Sequence, residues 1–116
     1  PKAELSIVEG ESSEVVAAIN RLAKEAKAKG ETVGIIATDE TAEQYTAGLV
    51  KSIGKREEEE TIAHHLYEVL REFDKYQVSA IYSEAFYTPR MGQAIMNRLL
   101  KAAGHKIIKA QEENEK

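Results

Sequence analysis

VSAIYSEAFYTPRMGQAIMNRLLKAAG, residues 78–104, is the stretch on which the reading of the fold turns. Val78-Ser79-Ala80-Ile81-Tyr82-Ser83 is a short, β-prone apolar run, too short for a helix, and it stops where polar residues begin. Thr88 and Pro89 then read as a helix start. Thr88 is the N-cap, and Pro89 occupies the first helical position, where a missing N–H removes nothing. Met91, Ile95 and Leu99, joined by Met96, Leu100 and Ala103, recur at helical spacing, and Gly104 supplies the stop. A buried strand therefore passes through a polar loop into an amphipathic helix, and that junction is where open parallel sheets place ligands and partners. Glu84, at the strand exit, is expected beside the positive helix start and Arg90. Ala94, Asn97, Arg98 and Lys101 fall on the other side of the helix, free to meet water or a partner.

The same alternation runs back to the first residues. Glu4-Leu5-Ser6-Ile7-Val8 alternates as a strand, and Ser12 or Ser13 caps a helix with Val15, Ile19, Leu22 and Ala26 on one stripe, closed by Gly30. Thr32 to Ala37 is continuously apolar after its first residue, the mark of a strand covered on both faces. Thr38-Asp39-Glu40-Thr41 opens a short helix to about Ala47, with Ala42 and Tyr45 inward, and Gly48 to Ile53 is the third strand. Gly54-Lys55-Arg56 turns into the longest helix, Glu57 to about Tyr76, whose Ile62, Leu66, Val69, Leu70 and Phe73 face the core. Its leading Glu57 to Glu60 read as a solvated first turn favoured by the helix dipole. Lys106-Ile107-Ile108 is the fifth strand.

Strand, helix, strand, helix, through five strands, with connections long enough for right-handed crossovers, predicts a three-layer, Rossmann-like α/β domain. Its sheet is mainly parallel and five-stranded, with helices on both faces. Residues 1–108 form this single domain, and 109–116 are a polar tail expected to fray in solvent.

Composition narrows the function. The 116 residues suit one domain with one real core, and 42% hydrophobic with 31% charged residues is ordinary for a folded cytoplasmic protein. A net charge of −4 argues against direct nucleic-acid binding, which needs a dense basic face. No run is long enough to span a membrane. The absence of cysteine excludes disulfides, thiolate metal sites and cysteine nucleophiles.

The familiar chemistry-bearing motifs are missing. No strand-to-helix turn is a G-x-G-x-x-G, and there is neither a phosphate-binding P-loop nor a G-x-S-x-G elbow. Gly54 and Arg56, after the third strand, form a weak phosphate-loop candidate, opposed by the glutamates that follow. His64 and His65 lie about 100° apart on their helix and do not readily close on one ion, so no metal site is assigned. Glu84 and Asp74 are carboxylates near element ends, but nothing in the sequence brings them together, and no catalytic residue is assigned.

Ser52-Ile53-Gly54-Lys55-Arg56-Glu57, Leu70-Arg71-Glu72-Phe73-Asp74, Glu84, and Gly92-Gln93-Ala94-Ile95-Met96-Asn97-Arg98-Leu99 through Ala102-Ala103-Gly104 together resemble a known family. It is the C-terminal domain of the two-domain L-threonylcarbamoyladenylate synthases. The likeness covers almost the whole chain, and Pro1-Lys2-Ala3 looks like the end of the interdomain linker, which would account for the missing methionine. The resemblance implies a parent enzyme that makes threonylcarbamoyl-AMP from threonine, bicarbonate and ATP, with Mg, for the threonylcarbamoyladenosine modification of tRNA. It places the substrates in an N-terminal YrdC-like domain that these residues do not include. The expectation is a noncatalytic accessory domain with no cofactor of its own, docking on that partner through the junction from Glu84 to Arg98. Glu84, Arg90, Asn97, Arg98, Gly54 and Arg56 are its candidate contact or ligand residues. His64 and His65 stand where relatives often carry arginine and asparagine, and Tyr87 to Arg90 depart from a more acidic, glycine-bearing loop. The competing expectation is an independent domain binding a small ligand or nucleotide.

Overall fold

Val33–Ala37 is buried at every position, and a strand covered on both faces has to lie inside a sheet with helices above and below it. A computed structural model describing residues 1–116 shows this arrangement. The elements are β1 (Glu4–Glu9), α1 (Ser12–Ala28), β2 (Val33–Ala37), a single 3-10 turn (Ala42–Gln44), β3 (Leu49–Ser52), α2 (Glu59–Lys75), β4 (Ala80–Glu84), α3 (Gly92–Ala102), β5 (Ile107–Lys109) and α4 (Ala110–Asn114). The sheet runs β3-β2-β4-β1-β5, and every pairing is parallel. No helix is long and apolar enough to cross a membrane.

The period-two pattern of the strands sorts the core into two layers. Leu5, Ile7, Ile36 and Ile81 meet Ile62, Leu66 and Phe73 of α2 and Ile95 and Leu99 of α3. Val8, Val33, Ile35 and Ala37 meet Val15, Ile19 and Ala23 of α1. Phe73 lies directly on the β2 backbone, where a Cβ on Gly34 would come within 2.9 Å of its ring.

β1 and β4 are neighbours, yet their connections part: α1 carries the chain from β1 to β2 across one face, while α3 carries it from β4 to β5 across the other. Parting connections open a crevice at the strands' carboxyl ends, and the functional residues gather there.

Four expectations are corrected. The helix expected from Thr38 to Ala47 is only the 3-10 turn at Ala42–Gln44, because the Thr38 and Thr41 hydroxyls turn inward to a buried carboxylate. Neither Ser12 nor Ser13 caps α1: Glu11 is the N-cap residue, and the Ser13 hydroxyl bonds to the Glu11 carboxylate. Thr88 and Pro89 do not start α3. The helix begins at Gly92, and Thr88 donates to Glu59 instead. Finally, the tail does not fray: Ala110 is fully buried against α1, the Asn114 side chain donates to the Glu14 carbonyl at 3.0 Å, and Arg21 pairs with Glu113 at 3.1 Å.

Candidate functional site

Glu84 ends β4, a strand with neighbours on both sides, so its side chain is enclosed at the middle of the sheet's carboxyl rim and is only 2% exposed. A carboxylate removed from water needs donors, and two loops supply them. Thr38, just past β2, donates its hydroxyl to Oε1 at 3.2 Å; Thr41 donates to Oε2, and Tyr45 donates to Oε2 at 2.5 Å. Arg56, from the β3–α2 connection, completes the set with Nη2 at 2.9 Å from Oε1, while Nη1 donates to the Ala85 carbonyl at 2.9 Å. The guanidinium also stands 5.0 Å from the centre of the Phe86 ring. Burial first, and then the Glu84 charge, push the Tyr45 phenol well above the ordinary tyrosine range, so it stays a proton donor to the carboxylate.

Gly54 makes the Arg56 placement possible. At φ +120° it turns the chain where a side chain would be strained, and a Cβ there would also come within 3.0 Å of Thr61. Its carbonyl accepts from the Asp39 N–H at 3.0 Å, and the Arg56 N–H donates to Glu40 at 3.1 Å, tying the β2 and β3 exits together.

In front of this network lies a crevice of about 300 Å³ between the ends of β1 and β4, walled by Glu9 and Gly10, by Ser12 of α1, and by Arg56, Glu84 and Tyr87. Tyr87 is largely exposed and donates to Glu9 at 2.5 Å; that bond raises its phenol to about 12. Both tyrosines therefore hold their protons at neutral pH. The crevice offers a half-exposed guanidinium, the start of α1 and two carboxylates, a lining suited to holding a small polar group.

The expected Glu84–Arg90 pairing does not form. Arg90 pairs with Glu59 at 3.4 Å and Glu60 at 3.1 Å, on the far side of the junction. Glu59 is the second surprise, since it is only 3% exposed rather than solvated with its neighbours. Its carboxylate accepts from the Thr88 hydroxyl at 2.5 Å and from the backbone N–H groups of Met91 at 2.5 Å and Arg90 at 3.2 Å. It thereby satisfies the turn into α3 that Thr88 was expected to cap. The Thr88 hydrogen bond, with these N–H groups and Arg90, holds its carboxyl below the usual carboxylate range.

Of the predicted site residues, Glu84, Arg56 and Gly54 share the rim. Asn97 and Arg98 are exposed on α3, as the helical spacing required, and belong to a different face. Asp74 lies at the opposite edge, where its Oδ1 accepts the Lys2 N–H at 2.8 Å. His64 is exposed and 3.2 Å from Glu68, its ring centre 5.6 Å from that of His65; no group of three or more His, Asp and Glu side chains gathers within ligating range. Thr38, Thr41, Tyr45, Phe86 and Glu59 escaped the sequence reading. Thr38 carried a usable signal, since it is the first polar residue after the most buried strand.

Comparison with known proteins follows the same outline. The family model described as threonylcarbamoyl-AMP synthase, C-terminal domain, matches residues 1–104. The threonylcarbamoyl-AMP synthase of Bacillus subtilis (strain 168) is 43% identical over 109 residues, which are 94% of this chain and 30% of that protein. The synthase of Pyrococcus abyssi (strain GE5 / Orsay) is 38% identical, with the same coverage of 94% and 30%. Among solved structures, P. abyssi Sua5 complexed with L-threonine superposes with a TM-score of 0.83 at 37% identity, covering 94% of this chain and 30% of that one. The C-terminal Sua5 domain from Pyrococcus horikoshii superposes with a TM-score of 0.73 at 35% identity, covering 94% and 98%. The chain thus spans 30% of the length of these curated relatives. With the parallel sheet agreeing throughout, the chain belongs to the threonylcarbamoyl-AMP synthase C-terminal domain family.

Proposed function

We propose that the chain is a noncatalytic accessory domain of a threonylcarbamoyl-AMP synthase, acting in tRNA threonylcarbamoyladenosine biosynthesis and docking on an N-terminal YrdC-like catalytic domain. In this reading the catalytic domain binds ATP with Mg, threonine and bicarbonate, and residues 1–3 end the linker to it. The observation that carries the reading is the match of nearly the whole chain to 30% of two synthases. The site chemistry supports it. Arg56, Thr38, Thr41 and Tyr45 spend their donors on Glu84, which locks the loops of the rim into a fixed surface. Fixed surfaces suit docking.

The test compares the full two-domain protein with the catalytic domain alone, reading ATP consumption and threonylcarbamoyl-AMP formation. Removing the accessory domain lowers the rate or the temperature at which activity is lost, supplying it in trans restores part of the loss, and the domain alone turns nothing over. Unchanged activity and stability after deletion, together with no association between the parts, would end the proposal.

The crevice beside Arg56 favours one second reading, an independent site for a small ligand or nucleotide. Saturable amide shifts at Gly54–Arg56 or Glu84–Arg90 on titration with ATP, GTP or AMP would support it.

A further inference from the structure

At the end of the sheet opposite the crevice, polar residues stand where the core calls for apolar ones. Ser6 of β1 and Tyr82 of β4 are register partners, and both lie on the α1 face, since Leu5, Ile7 and Ile81 beside them belong to the layer under α2 and α3. Ser6 is only 3% exposed. Next to it a cavity of about 230 Å³ opens between the last turns of α1 and the sheet, with Leu22 and Ala26 as its apolar wall. At about 30 Å³ per water it is several times larger than a single water needs. The Ser6 and Tyr82 hydroxyls have no hydrogen-bond partner in the protein, and neither is sealed off: both open onto this cavity. A hydroxyl as enclosed as that of Ser6 is ordinarily paired, so its opening onto a cavity beside a second free hydroxyl points to a ligand.

The charges around the two hydroxyls select the class of that ligand. Glu4, Glu25 and Glu31 stand at the cavity against Lys29 and Lys106. Lys106 is tied to Glu4 at 2.6 Å, and Lys29 is exposed at the end of α1. Glu31 accepts from the Ser79 hydroxyl and has no cationic partner. Burial raises the Tyr82 phenol; Lys106 opposes the rise, and Glu4, Glu31 and Glu25 add to it. The phenol therefore keeps its proton in the field of three carboxylates and one ammonium. That field repels an anion and attracts a cation. A primary ammonium brings three N–H donors and no acceptor, which matches the lone pairs of Ser6, Tyr82 and a carboxylate taken together. The wall of Leu22 and Ala26 suits the carbon chain behind it.

We propose that this cavity is a binding site for a small organic ammonium, its head held by the Ser6 and Tyr82 hydroxyls and the Glu31 carboxylate and its alkyl body laid against Leu22 and Ala26. The site lies at the amino ends of the strands, away from the Glu84 network, and it goes beyond the accessory-domain reading without depending on it.

Amide NMR of the chain titrated with n-butylammonium chloride tests the assignment, with n-butanol and sodium butyrate as neutral and anionic isosteres at matched ionic strength. Saturable shifts are expected at Ser6, Ala26 and Tyr82, with butanol about tenfold weaker and no saturation by butyrate. Ser6→Ala and Tyr82→Phe each remove one hydroxyl and little volume, and each should weaken butylammonium about tenfold at an unchanged thermal midpoint. If either variant is unstable, Glu31→Gln on the rim of the cavity reads the charge requirement in its place, with the same expected weakening. Nα-Acetyl-lysine methylamide, titrated in parallel, separates the two sources of this chemistry: binding as tight as that of the free amine assigns the head group to a protein lysine, and saturation by the free amine alone assigns it to a small molecule. Butanol or butyrate binding as tightly as the ammonium overturns the assigned class. Absence of saturation by butylammonium, or full affinity in the folded variants, overturns the site.

Discussion

Arg56→Ala strips the buried Glu84 carboxylate of its only cationic partner and leaves it three hydroxyl donors, from Thr38, Thr41 and Tyr45. Two unit charges about 4 Å apart attract by about 4 kcal/mol at the effective dielectric of a partly solvated site. Breaking a fully buried pair costs about 3–5 kcal/mol, because a charge is left stranded. The Arg56 side chain is 38% exposed while that of Glu84 is 2% exposed, so water screens the pair and partly replaces the guanidinium after truncation. The expected loss is therefore about 2 kcal/mol, including the contact with the Phe86 ring. That corresponds to a fall of about 6–10 °C in thermal midpoint for a domain of this size.

Urea unfolding of the wild type, Arg56→Ala, Glu84→Gln and the double variant isolates the pairwise term. Once Glu84 is an amide, losing Arg56 should cost about 0.5 kcal/mol, which gives a coupling of about 1.5 kcal/mol. The slope against urea should stay constant, since the fold does not change. A cost below about 0.5 kcal/mol for Arg56→Ala, or additive losses across the cycle, would show that the rim is not organised by this pair.

Three further outcomes follow from the same contacts. Glu59→Gln lowers stability at neutral pH and flattens its acid dependence: the folded carboxyl titrates below its unfolded value of about 4.3, so the stability it contributes is present above that pH and disappears as pH falls through the folded value. Chemical unfolding at several pH values between about 6 and 3 reads the difference as a shallower decline in the variant. Gly34→Ala drives a methyl to within 2.9 Å of the Phe73 ring and should cost about 1–3 kcal/mol, part of it recovered by adding Phe73→Leu; a stabilised Gly34→Ala would contradict the ring's position. Deleting residues 110–116 uncovers α1 where Ala110 is buried and should lower stability by about 1–2 kcal/mol, whereas a fraying tail would leave the thermal midpoint unmoved.

Much of the architecture was legible because its signals are local. The apolar run from Val33 to Ala37, the stripe of Ile62, Leu66, Val69 and Phe73, and the glycines after the helices each state their own element within a few residues. Five strands separated by crossover-length connections leave little choice but a parallel sheet. Asn97 and Arg98 were placed outward by periodicity alone, and they are exposed.

The site was legible only in pieces. Glu84 and Arg56 were each singled out, but Glu84 was matched with Arg90, six positions away, rather than with Arg56, twenty-eight away. Thr88 read as a cap for its own helix, yet it serves Glu59 across the junction. Both misreadings have one origin.

Residue order and hydropathy determine which segments become helix or strand and which side of each is buried, because these preferences are settled between near neighbours. The order β3-β2-β4-β1-β5 decides which loops meet at the carboxyl rim, and it follows from how the two faces pack over the whole sheet. Only that assembly places Thr38, Tyr45, Arg56 and Glu84 within hydrogen-bonding distance. A buried carboxylate takes whichever donors the tertiary structure brings within about 3 Å, and proximity along the chain has no vote in that.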